Sequence, residues 1–132
     1  DETEGPMTTL PMVIRPIRDS LNRAASDLAA AADGAAPALP ALRDAALALE
    51  NHLDTFAKEL PTVSDSGVLA RARRLEAALR AALAETWAIE RDARSGPVEP
   101  GRLAALAHRL LRAASDEFAL VAEQLRDDGA LD

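Results

Sequence analysis

His52 and His108 are the residues of this chain best able to do chemistry, accompanied by a spread of carboxylates and by no cysteine. A metal site or an acid–base pair needs such groups to converge, and little in their spacing brings them together. Glu50 precedes His52 by two residues, and Glu-x-x-His, the ligand spacing of di-iron bundle enzymes, occurs nowhere. Asp27, Asp33, Asp44, Glu50, Asp54, Glu76, Glu85, Glu90 and Asp92 fall between the apolar positions and read as a solvated face. Exposed pairs that they form with neighbouring cations, such as Glu76 with Arg80, are worth about a few tenths of a kcal/mol. Glu117, beside Phe118, is the acid nearest a buried seam. Nucleophile triads and glycine-rich phosphate loops are absent. The residues therefore predict no catalytic site, no cofactor and no metal.

The elements that position these groups are written in the apolar spacing. One stripe reads Leu10, Ile14, Ile17, Leu21, Ala24, Leu28, Ala31; a second reads Leu42, Ala46, Leu49, Leu53, Phe56, Leu60. A third reads Val68, Ala72, Leu75, Leu79, Ala82, Thr86, Ile89, and a fourth Leu103, Ala107, Leu110, Ala114, Phe118, Val121, Leu125, with one extra step of four. Steps of three and four run along one side of a helix. Punctuation agrees. Asp33-Gly34 with Pro37 and Pro40 ends the first helix, Pro61 follows the second, and Ser64, Asp65 or Ser66 can cap the third. Ser95-Gly96-Pro97 closes the third, and Pro100 suits the first turn of the fourth. Helices are predicted at about 10–33, 39–60, 66–93 and 100–126. Residues 1–9 and 127–132 read as acidic tails. Connections this short make successive helices antiparallel neighbours, so the fold class is all-α: an up-down-up-down four-helix bundle.

Aligning the turns of that bundle puts His52 level with Asp19, Leu75 and Ala119, and His108 level with Ala30, Ala41 and Thr86. The two levels are roughly 16 Å apart at 1.5 Å per residue, too far to share one ion. Both histidines flank the seams as boundary residues. Bulk is expected at two levels: Phe118, Leu49, Leu53, Leu21, Leu75 and Leu79 at one, Trp87, Leu42, Leu39 and Leu106 at the other. Pro16 implies either that regular helix begins near Arg15 or that the helix kinks. Met7, Met12, Val13 and Ile14 then offer an adjustable apolar segment for a partner, and Trp87 a second anchor point.

Composition narrows the partners. The chain has 132 residues and a net charge of −7, and its alanines (31) and leucines (20) far outnumber its aromatics. A pI near 4.8 argues against binding nucleic acid or anionic membranes, and no apolar run is long enough to span a bilayer. Arginine outnumbers lysine 14 to 1, a habit of GC-rich bacterial genomes. The opening Asp1-Glu2-Thr3 reads as a processed form without a visible signal peptide, which leaves the bacterial cytoplasm and export both open. Alanines outside the main stripes, Ala25, Ala29 and Ala32 on the first helix and Ala77, Ala81, Ala84 and Ala88 on the third, either serve helix propensity alone or form a second packing face.

Two resemblances add readings. Leu103 to Ala114, with His108, Leu110 and Arg112, resembles the phosphoacceptor segment of histidine-phosphotransfer domains, which implies phosphoryl transfer through His108. Leu111 stands where that family has a basic residue, and Arg112 where it has glycine. The opening Met7-Thr8-Thr9-Leu10 resembles the axial-methionine stretch of cytochrome b562. After Asp116-Glu117-Phe118, however, comes Ala119, with no histidine to complete the ligation. That resemblance implies a similar bundle without haem, and the alanine-rich, underfilled levels of its core would suit a small-ligand carrier. The reading favoured by the residues themselves is a non-enzymatic binding module (adaptor, sensory or oligomerisation domain) whose partner is another protein or a second copy.

Overall fold

A computed structural model describes residues 10–64 and 66–117, with side chains over 15–64 and 66–115. Four α-helices follow in order: α1 (Leu10–Ala32), α2 (Ala38–Glu59), α3 (Ser66–Ser95) and α4 (Pro100–Arg112). α1 packs on α2 and α4, and α3 on the same two, so the helices stand at the corners of a square with consecutive helices antiparallel. The α3–α4 side is the most sparsely packed. No strand occurs among the described residues. The acidic tails and Phe118 lie outside them.

The helix ends obey local chemistry. At the end of α1 the amide of Ala35 donates to the carbonyl of Ala30 (2.9 Å) and that of Gly34 to Ala31 (3.1 Å), the paired bonds of a Schellman cap. Gly34 carries them at φ +80°, and nothing lies within 4 Å of where its Cβ would stand. Gly34→Ala therefore meets backbone strain alone and is expected to cost about 1 kcal/mol in a urea titration. A variant as stable as the parent would contradict that cap. α2 starts after Pro37, tightens into a 3₁₀ turn over Leu60–Thr62, and α4 opens with Pro100 at its first position. α1 begins at Leu10 and runs through Pro16, so regular helix starts ahead of the proline.

Helix four departs from the uniform 100–126 expected from its stripe. After Arg112 the chain widens into a π turn over Ala113–Glu117. The physical cause is visible in the spacing: Leu110, Ala114 and Phe118 are separated by two successive steps of four, more residues than two α-turns hold. One inserted residue, bonded i to i+5, absorbs the excess. Leu110 and Ala114 both stay buried across it.

Leu21, Leu28, Leu42, Leu49, Phe56, Leu75, Leu79 and Leu110 are fully buried and belong to one contiguous core, not two separate levels. Ten of the 26 buried apolar residues described are alanine, so the bulk is supplied by a minority of positions. Ala25, read from the sequence as surplus to the seam, is buried, because α1 is covered on two sides by α2 and α4.

Candidate functional site

The polar groups of the bundle gather along the two sides of α3. Toward α2, the Glu90 side chain is only 5% exposed; it accepts a hydrogen bond from Arg43 Nε of α2 at 3.1 Å and forms an ion pair with Arg94 Nε at 3.3 Å. This corrects the assignment of Glu90 to a solvated face. The residue follows Ile89, the last of the stripe, and Arg43 reaches across from α2 to cover it. Two turns along α2, Trp87 Nε1 donates to Glu50 Oε2 at 3.2 Å, so the half-buried indole is tied down on its α2 side. Thr86 is fully buried and hands its hydroxyl proton to the Ala82 carbonyl at 2.6 Å.

Toward α4, Arg102 bridges to Asp92 at 2.7 Å and to Glu85 at 3.8 Å. The Asp92 hydrogen bond pushes the Arg102 guanidinium up from its ordinary range, with the surrounding carboxylate charges adding to it. A groove of about 290 Å³ runs here, lined by Glu85, Glu99, Arg102 and Arg109 among others. A second, of about 260 Å³, lies between α1 and α2 over Arg23, Asp27 and Asp44. Glu76 and Arg80 pair at 3.3 Å as their spacing predicts.

The structure keeps the two histidines apart in character. His108 is exposed on α4. His52 is half-buried, and its Nε2 is enclosed with no hydrogen-bond partner. Burial pushes its pKa down from 6.5 by penalising the imidazolium. The folded state therefore binds its proton less readily than the unfolded chain. Stability from this site is complete above pH 6.5 and is lost as the pH falls below it toward the lowered folded value. His52→Leu is expected to flatten that acid limb and to add about 1 kcal/mol at neutral pH, because an unmade buried hydrogen bond disappears. An acid limb unchanged in a pH series of urea melts would contradict this assignment.

Among the described residues, no three His, Cys, Asp or Glu side chains are grouped to hold a metal ion. No helix among them is long and apolar enough to cross a membrane. Of the residues read as a partner surface, Met7 lies outside the described residues, and Met12 and Val13 lie in α1 where only backbone is described. Glu117 closes the π turn, its side chain likewise beyond what is described.

The outward side of α3 is the remaining feature. Ala77, Ala81 and Ala84 are exposed and Ala88 half-exposed, diametrically opposite the buried row of Val68, Ala72, Leu75, Leu79 and Ala82. Arg73, Arg74, Arg80, Glu85, Arg91 and Asp92 flank this strip. On α4 an exposed Leu111 stands beside exposed Ala104, His108 and Ser115.

The chain matches no protein-family model, and no curated protein or solved structure matches it.

Proposed function

We propose that this chain is a non-enzymatic helical-bundle module that works by binding protein, either another chain or a copy of itself. One observation carries the reading: the outward face of α3 is a flat strip of alanine bordered by charged side chains. Small side chains let a second helix approach to about 8 Å, and bordering charges select which helix it is. Trp87, held on the α2 side by Glu50, adds an aromatic edge next to the strip. The buried polar groups Thr86 and Glu90 are spent on internal bonds and serve the scaffold.

A photo-crosslinking residue at Ala81 or Ala84 tests this in the native cell. Trapping one discrete protein from these positions, but not from Asn22 on the outer side of α1, is the expected result. Equal trapping from all three positions, or none, contradicts the reading. A second reading, phosphoryl transfer through His108, draws on the exposure of that imidazole on α4. Phosphodonor labelling that is lost in His108→Ala supports it, and labelling that persists in the variant removes it.

A further inference from the structure

The cover over Glu90 has an outer side. The two carboxylate oxygens are divided between Arg43 of α2, on Oε2 at 3.1 Å, and Arg94 of α3, on Oε1 at 3.3 Å. Each arginine meets the acid through Nε, so the terminal N–H groups of both guanidiniums remain for another acceptor. Both side chains are more than half exposed, while the carboxylate beneath them is enclosed. A buried acid therefore holds two guanidiniums from below and leaves their terminal forks, the ends that grip carboxylate and phosphate, on the surface.

A third cation stands beside them. Arg91 is exposed, and three residues before Arg94 it is that residue's neighbour on the helix surface. Among the described residues it forms no hydrogen bond or ion pair. Three guanidinium charges against one carboxylate leave a local charge of +2, on a chain whose total is −7. The neighbouring acids are engaged elsewhere: Asp92 with Arg102 on the α4 side, Glu50 with the Trp87 indole, and Asp44 in the groove on the α1 side of α2. Apolar surface adjoins the cations as well. Exposed Leu47 follows Arg43 by one turn of α2, and half-buried Trp87 precedes Arg91 by one turn of α3.

We propose that Arg43, Arg91 and Arg94 form an oxyanion site for a phosphate monoester, with Leu47 and Trp87 meeting the apolar group that carries the phosphate. Charge selects this ligand over a carboxylate. A phosphate monoester is close to a dianion at neutral pH and cancels the local excess, whereas a carboxylate cancels half of it. A nucleic acid fits poorly, because its run of phosphates would extend from this patch over an acidic surface. Glu90 supplies the preorganisation: two arginine side chains are already ordered before the ligand arrives, so less rotamer freedom is lost on binding. Arg43 and Leu47 belong to α2, so the site lies beside the alanine strip of α3 and does not depend on it.

Trp87 is the one tryptophan of the chain, so its fluorescence reports on the site without a label. Titration of the full chain with phenyl phosphate, at an ionic strength held constant with chloride, should change that signal saturably, with a dissociation constant of about 1 mM. The Nε–H resonances of Arg43, Arg91 and Arg94 should shift with the same midpoint, and that of Arg23, in the groove between α1 and α2, should not. Arg94→Lys keeps a cation over Glu90 but loses the fork, and Arg91→Gln removes an exposed charge that the fold does not use. Each should weaken binding about fivefold in a chain that stays folded by circular dichroism. A phosphoserine peptide and its unphosphorylated twin separate the two sources of such an ester. A phosphopeptide about tenfold tighter than phenyl phosphate assigns the site to a phosphorylated side chain, and one that binds equally or more weakly assigns it to a small ester. No saturable response to either probe, a twin that binds as tightly as the phosphopeptide, or equal affinity in the parent and both variants overturns the site. Crosslinking from Ala81 reports on the alanine strip in either case.

Discussion

Phe56→Ala is expected to remove about 4 kcal/mol from the unfolding free energy, the largest loss of any single truncation in the bundle. Phe56 has no exposed surface, and it is the one aromatic in the described core. Its end of the molecule is closed by Leu60 and Val63 in and after the 3₁₀ turn, and by Val68 at the start of α3. Short side chains reach poorly into a vacated ring, so the cavity term adds to the lost transfer energy. Against a typical total of 5–15 kcal/mol, about 4 is a large fraction. Leu47, 54% exposed on α2, is the natural control: Leu47→Ala should fall within about 0.5 kcal/mol of the parent. Paired urea titrations decide it, and a Phe56→Ala loss below about 1 kcal/mol would mean that the core does not depend on that ring.

The second large effect concerns the cover over Glu90 and has an unusual order. Replacing both Arg43 and Arg94 by leucine leaves a carboxylate enclosed with no cation, and should cost about 3 kcal/mol. Glu90→Leu, which removes the enclosed charge itself, should cost less than about 1 kcal/mol, because both arginines are more than half exposed and return to water. The asymmetry separates a buried acid that needs cover from an ordinary surface cluster. Were Glu90→Leu the more damaging change, the two arginines would be the groups that need Glu90, and the assignment would be reversed.

The fold was legible because leucine is placed mainly where the helices meet. Four stripes at steps of three and four, punctuated by Gly34, Pro61, Gly96 and Pro100, are enough to specify antiparallel neighbours with short turns. Even the π turn had a signature in the doubled step at Leu110, Ala114 and Phe118, although a single stripe does not say whether the helix or the seam gives way. Glu90 was illegible for a reason of geometry. Its position next to Ile89 is compatible with either side of the seam, and its burial depends on Arg43, 47 residues away. His52 shows the same limit: that it flanks a seam is visible, but that its Nε2 is enclosed without a partner depends on neighbours from other helices.

The alanines divided in a way that composition does not reveal. Ala25 joined the core, whereas Ala77, Ala81 and Ala84 stayed in solvent. The fold places those alanines on the outermost line of α3, with Arg102 marking one edge and Trp87 the other.

The most direct test of binding through the outward face of α3 is covalent capture from that face. A photo-crosslinking residue at exposed Ala81 should trap one discrete partner in the native cell, and the same residue at exposed Asn22 on α1 should not. Equal trapping from the two positions, or none from either, would contradict the account.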